Sequence, residues 1–166
     1  MKLTEKSNMN LNKKSGHTSR MIPLFAVALY LSMLVATITA EETCADVTTV
    51  AAGETIGNVC STAAFTAGAN STVNGYIKAV AAVTLGANSR VMNNVTAGAA
   101  ITVGAGSTVN GNVSAGAAIT TGASSTVNGN LNAGAAIVLG AMSVVTGTVH
   151  SDINEISYGD GATVGE

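Results

Sequence analysis

Charge is what this sequence has least of. Asp, Glu, Lys and Arg make up 10% of its 166 residues, against about a quarter in ordinary globular chains. Aromatic residues are 3%, Trp is absent, and there is one Pro, two Cys and two His. Each shortage removes a class of function. Of the seven Lys and Arg, five (Lys2, Lys6, Lys13, Lys14 and Arg20) fall before residue 41. Beyond it, Lys78 and Arg90 stand against eight acids: Glu41, Glu42, Asp46, Glu54, Asp152, Glu155, Asp160 and Glu166. Nucleic acid is not an expected partner, because phosphate binding needs clustered cations. His17 lies in the N-terminal segment and His150 is the only other His, so no converging ligand set for a metal is visible. The many Gly-x-Gly fragments belong to a repeat and form no phosphate loop. No cofactor and no enzymatic activity are expected.

The first forty residues form a segment of their own. Residues 1–20 are polar and basic, and Ile22 to Ile38 follow as an apolar run, IPLFAVALYLSMLVATI. Thr39-Ala40 then precede Glu41-Glu42. Basic, apolar and small-residue sections in this order are the pattern of an export signal, with cleavage expected after Ala40. Seventeen apolar residues are also at the low end of a bilayer span, which keeps an uncleaved anchor open. Cys44 and Cys60 both follow this segment. In an oxidising compartment they are expected to form a disulfide within an N-terminal cap, residues 41–62; two buried thiols are the alternative.

From residue 63 the chain repeats every 18 residues. The coils are Ala63–Val80 (AAFTAGANSTVNGYIKAV), Ala81–Gly98 (AAVTLGANSRVMNNVTAG), Ala99–Gly116 (AAITVGAGSTVNGNVSAG), Ala117–Gly134 (AAITTGASSTVNGNLNAG) and Ala135–Asp152 (AAIVLGAMSVVTGTVHSD). We number them coils 1 to 5, and positions 1 to 18 within each. Apolar or small residues occupy the odd positions; in coil 3 these are Ala99, Ile101, Val103, Ala105, Ser107, Val109, Gly111, Val113 and Ala115. A period of two sends one set inward and the other outward. Because 18 is even, equivalent residues stack in columns, about 4.8 Å apart from coil to coil. A finer period of six implies three short strands per turn, with Gly and Asn at the corners. The predicted fold is an all-β triangular β-solenoid of about six to seven coils. Glu54–Val59 (ETIGNV) reads as a degenerate coil with one residue deleted, and Ile156–Gly165 (ISYGDGATVG), within a C-terminal cap 153–166, as one after a one-residue insertion.

The outward columns are the candidate functional surface. Position 4 is Thr66, Thr84, Thr102, Thr120 and then Val138. It is flanked at position 2 by Ala64, Ala82, Ala100, Ala118 and Ala136, and at position 6 by Gly68, Gly86, Gly104, Gly122 and Gly140. This is an uncharged strip of methyls, hydroxyls and bare backbone. A second Thr column (Thr72, Thr108, Thr126) is broken by Arg90 and Val144, and runs beside Asn74, Asn110, Asn128 and Asn94, Asn112, Asn130. Thr and Asn also suit any outward solenoid position, through strand propensity and ladder hydrogen bonds. Asn70, Asn94 and Asn112 each begin an Asn-x-Ser/Thr sequon, a glycosylation acceptor only in a eukaryotic secretory route.

The run ITVGAGSTVNGNVSAGAAITTGASSTVNGNL resembles the solenoid coils of the microbial secreted ice-binding proteins, over about Ala63–His150. The resemblance implies a secreted, non-enzymatic protein with ice or ordered water as its partner. The expected ice-binding face comprises Thr66, Thr84, Thr102 and Thr120, with Ala82, Ala100 and Ala118. The hexad pattern also resembles hexapeptide-repeat acyltransferases, but His150 has no second His and almost no cations to hold a phosphorylated cofactor. The repeat length is similar to that of bactofilin-type polymers, so a structural or self-assembling surface protein, with itself as partner, is the second reading.

Overall fold

The structure, a computed structural model, describes residues 45–165. The export segment 1–40, Cys44 and Glu166 lie outside the described residues, and so does the expected Cys44–Cys60 pairing. All regular structure in the described residues is β, in short strands of two or three residues. Every pairing is parallel, and each strand pairs with its equivalent one coil away: Thr102 faces Thr84 on one side and Thr120 on the other. The result is the β-solenoid that the 18-residue period predicts.

Three sheets form its sides. Face I stacks Thr49–Val50, Phe65–Ala67, Val83–Leu85, Ile101–Val103, Ile119–Thr121, Ile137–Leu139 and Ile156–Tyr158. Face II stacks Thr55–Ile56, Thr72–Val73, Arg90–Val91, Thr108–Val109, Thr126–Val127, Val144–Val145 and Thr163–Val164. Face III stacks Val59–Ser61, Ile77–Ala79, Val95–Ala97, Val113–Ala115, Leu131–Ala133 and Val149–Ser151. The degenerate ends keep this register. Thr55 pairs with Thr72 while Val59 pairs with Ile77, which locates a one-residue deletion between Ile56 and Val59. At the other end Ile137 pairs with Ile156, a step of 19, and Asn154 absorbs the extra residue with φ 55°. Ser151 replaces the Ala found at this inward position in coils 1 to 4, and its hydroxyl receives the Glu155 amide at 3.2 Å, tying down the longer corner.

The core is a narrow column of aliphatic side chains. The expected columns at positions 3 and 11 are buried in every coil, from Phe65 to Ile137 and from Val73 to Val145. The column at position 15 is buried from Ile77 to Leu131, and Val149 is partly buried against it. Each fully buried Val, Leu, Ile or Phe contributes about 1.5–3 kcal/mol, and no coil buries its side chains without a neighbour above and below. Positions 5 and 17 add Ala67, Leu85, Val103 and Leu139, and Ala79, Ala97, Ala115 and Ala133. Thr121 occupies position 5 of coil 4, and its hydroxyl accepts the Gly140 amide at 3.1 Å, so burying it leaves no orphan oxygen.

The strict odd-in rule fails at the corners. Ala87, Ala105, Ala123 and Ala141, at position 7, are exposed, and Ala99 and Gly111, at positions 1 and 13, are half-buried. The cause is the tight turn from position 6 to position 9. In it the position 9 amide donates back to the position 6 carbonyl, as Ser107 does to Gly104 at 3.2 Å. The residue between them, at position 8, takes a positive φ: Asn70, Asn88, Gly106, Ser124 and Met142. Gly and Asn suit this, whereas Ser124 and Met142 hold the same conformation because coil stacking imposes it. Position 6 is Gly for a different reason. A Cβ on Gly104 would stand 2.5 Å from the Gly86 carbonyl group, so coils this close admit no side chain there.

Position 9 is buried and is Ser in all five coils: Ser71, Ser89, Ser107, Ser125 and Ser143. Both Ser89 and Ser107 hydroxyls donate to the Gly86 carbonyl, at 2.7 and 2.8 Å, and the Ser89 amide donates to Ser107 Oγ at 3.1 Å. In coil 2, where the Ser89 amide turns to Ser107 Oγ, these hydroxyls take over the corner carbonyl that the turn amide serves in the other coils. Only the two ends of the Ser column, Ser71 Oγ and Ser143 Oγ, have no partner among the described residues.

The inside–outside assignment is tested by a pair of neighbours. Val109→Asp places a carboxylate among aliphatics with no partner and is expected to cost several kcal/mol, unfolding its coil and those adjoining it. Asn110→Asp, one residue further and facing out, is expected to lie within about 0.5 kcal/mol of wild type. Thermal melts followed by circular dichroism measure both; equal effects would refute the assignment.

Candidate functional site

Strand alternation on face I points position 4 outward, and its neighbours at positions 3 and 5 anchor the strand in the core. Thr66, Thr84, Thr102 and Thr120 are all exposed, on successive rungs in register. Coil hydrogen bonds at the strand starts hold the rungs in line: Val83, Ile101 and Ile119 amides each donate to the Ala carbonyl of the following coil at 3.0 Å. The structure adds a residue that sequence reading assigned to the cap. Thr49 pairs with Thr66 and is also exposed, so five Thr succeed one another without a break. The signal was the Thr48-Thr49-Val50 triplet, hidden because the deletion before coil 1 shifts it to a spacing of 17. Beyond Thr120 the column continues as Val138 and Ser157.

The flanks of this column are low. Ala82, Ala100 and Ala118 are half-buried, as are Gly86, Gly104 and Gly122, so the Thr side chains stand above a floor of methyl groups and backbone; Ala64 alone of the Ala column is exposed. None of the Thr66, Thr84, Thr102 or Thr120 hydroxyls is engaged by another described residue, which leaves them to water. No ionisable side chain interrupts the strip. Lys78 lies on face III and Arg90 on face II, and the described carboxylates Asp46, Glu54, Asp152, Glu155 and Asp160 lie outside coils 1 to 4.

The Asn columns do something else. At position 14, Asn94 Oδ1 accepts the Asn112 amide at 2.8 Å, Asn112 Oδ1 the Asn130 amide at 2.9 Å, and Asn130 Oδ1 the Thr148 amide at 2.9 Å. Each amide sits under the next coil's position 13, where a Cβ on Gly111 or Gly129 would stand 2.5 or 2.7 Å from the Oδ1 below. Asn at one corner and Gly above it are thus one device, and it splices coils together. At position 12, Asn128 Nδ2 donates to Asn110 Oδ1 at 2.9 Å. Asn94 and Asn112 therefore serve in the ladder as well as in sequons; Asn70 serves as a left-handed turn residue at the surface.

Elsewhere the chemistry is sparse. His150 Nε2 lies 3.3 Å from Asp152 Oδ1, both exposed on the outside of the last full coil. No group of three or more His, Cys, Asp or Glu converges among the described residues. A groove of about 330 Å³ opens on face III beside Tyr76, Lys78 and Asn93. Comparison with protein-family models, curated proteins and solved structures returns no match for this chain.

The ladder role of Asn is open to direct measurement. Asn112→Ala removes the acceptor for the Asn130 amide and is expected to cost about 1 kcal/mol in denaturant unfolding. Asn132→Ala, exposed on face III and outside any ladder, is expected to be silent.

Proposed function

We propose that this chain is a secreted, non-enzymatic ice-binding protein and that face I is its ice-binding surface. The observation that carries this reading is the array of five exposed Thr, Thr49 to Thr120, on consecutive in-register rungs. Ice offers a repeating lattice of water and no shape for a pocket to enclose, so its binder needs a flat, rigid and regular surface. Face I supplies rows about 4.8 Å apart between coils and about 6.8 Å between outward neighbours along a strand. Its methyls and hydroxyls order water without the strong hydration shell of a charge. Faces II and III are poorer candidates, since Arg90 and Met92 interrupt one and Lys78 and His150 the other.

In the same reading residues 1–40 direct export and Cys44 bonds to Cys60 in the oxidising exterior. Such a bond would close a loop of roughly 16 residues and stabilise the first coil by about 3 kcal/mol. Thiol titration of denatured, unreduced protein is expected to find no free thiol, and reduction to lower the melting temperature. Two titratable thiols would refute the bond.

The functional test is ice growth. Purified protein is expected to shape ice crystals, and the double variant Thr102→Tyr/Thr120→Tyr to lose that activity while keeping its circular dichroism spectrum. Asn110→Tyr/Asn128→Tyr is expected to lose much less. Folded, monodisperse wild-type protein without effect on ice would refute the proposal, and filaments in its place would favour the self-assembling reading.

A further inference from the structure

The repeat is not kept uniformly around the rod. Coils 3 and 4 share one outward pattern on face II, face III and the corner between them: Thr, Asn, Gly and Asn at positions 10, 12, 13 and 14, a small polar residue at 16 and Gly at 18. Coils 1 and 2 depart from it in one place. Coil 2 has Arg90, Met92 and Asn93 at positions 10, 12 and 13, and coil 1 has Tyr76, Lys78 and Val80 at positions 14, 16 and 18. Met92, Asn93 and Tyr76 fall at the corner between faces II and III, Arg90 on face II and Lys78 on face III to either side of it, and Val80 past the end of face III. Tyr76 takes the place of the ladder Asn, and Asn93 the place of the Gly that would sit above it. This is the only break in the Asn–Gly splice between Asn58 and Thr148. Departures from a chain's own structural rule are expected at functional sites.

An independent observation falls on the same spot. The groove of about 330 Å³ is lined by Tyr76, Ile77, Lys78, Asn93, Asn94 and Thr96. Its hydrogen-bonding capacity leans towards donors. Asn93 Oδ1 is taken by the Asn94 amide at 2.8 Å, and Asn94 Oδ1 by the Asn112 amide at 2.8 Å. Their Nδ2 groups donate to no described residue. What the groove presents is the Asn93 and Asn94 NH2 groups, the Thr96 hydroxyl and the Lys78 ammonium, beside the half-buried Tyr76 ring. Arg90 lies outside the groove, on face II across the corner, where its Nε donates to Met92 Sδ at 3.1 Å, and Lys78 and Arg90 are the only Lys or Arg among the described residues.

We propose that this groove binds an acidic polysaccharide, a chain of sugars bearing carboxylates. A surface with free NH2 and ammonium donors, its amide oxygens each already accepting a backbone amide, favours a ligand rich in acceptor oxygens. The Lys78 ammonium in the groove, with Arg90 across the corner, selects negative charge, and charge-assisted hydrogen bonds to carboxylate are about twice as strong as neutral ones. An open groove on the side of a rod admits an extended polymer passing across it. The site lies off face I and does not rest on the ice-binding reading; it would hold the rod in a matrix while leaving the Thr array uncovered.

The test measures binding of the full chain to a size-defined oligogalacturonate by isothermal titration calorimetry, with a neutral glucan of equal length as comparison. Substitutions that restore the repeat's own residues, Lys78→Thr and Arg90→Thr, keep the fold. Wild type is expected to bind the acidic oligosaccharide, more weakly as salt rises, and the double variant to lose about tenfold or more in affinity. Thr102→Tyr/Thr120→Tyr is expected to bind like wild type. Absence of wild-type binding, equal binding of the neutral glucan, equal binding by Lys78→Thr/Arg90→Thr, or equal binding of a polyglutamate peptide each overturns the proposal.

Discussion

Everything in this molecule depends on the parallel backbone hydrogen bonding of one coil to the next. A two- or three-residue strand has no stability of its own, and its partner lies a full turn away in sequence. Because equivalent residues are the ones that pair, each side chain must coexist with its own counterparts above and below. Ser stacks on Ser in the interior, Thr on Thr outside, and Asn reaches into the space left by Gly. Composition follows from this constraint. Large aromatics do not stack in so narrow a core, like charges do not stack on a surface, and both are scarce.

The same constraint separates the faces. Face I carries its Thr array with almost no interruption because nothing there needs a special residue except the Gly of position 6. The corner between faces II and III is held by Asn amides, which fixes the residues that can stand there. A single place on that corner gives up the splice, and the two Lys or Arg of the described residues, Lys78 and Arg90, stand on the faces to either side of it. A regular surface on one side and an irregular one on another suit different ligands: the first a lattice, the second a molecule with particular groups in particular places.

Much of the fold was legible because the repeat is in phase with strand alternation. The 18-residue period, the three-strand turn and the columns from Phe65 to Ile137 and from Val73 to Val145 follow from spacing alone. Ala105 and its equivalents were misplaced because alternation is suspended inside a turn containing a left-handed residue, a dihedral effect that small side chains do not announce. The Ser column looked like small filler; its work is hydrogen bonding to corner carbonyls, visible only once the turn geometry is known. Thr49 was missed through a one-residue deletion. The Asn–Gly coupling was the least legible, since it joins residues in successive coils and neither residue's neighbours in sequence reveal it. The Tyr76–Asn93 exception could not be recognised until that rule was.

The Asn–Gly splice also bears on how such a molecule lengthens. Each coil offers a socket on one side and a plug on the other, and the two match wherever the 18-residue frame is cut. A tandem duplication of any such stretch from the regular coils therefore arrives already fitted, with its hydrogen bonds satisfied and its outward Thr in line. Extension by copying is open to this architecture at almost no structural cost. Single-residue changes in length are confined to corners of the end coils, at Ile56–Val59 and at Asn154, where a turn absorbs them.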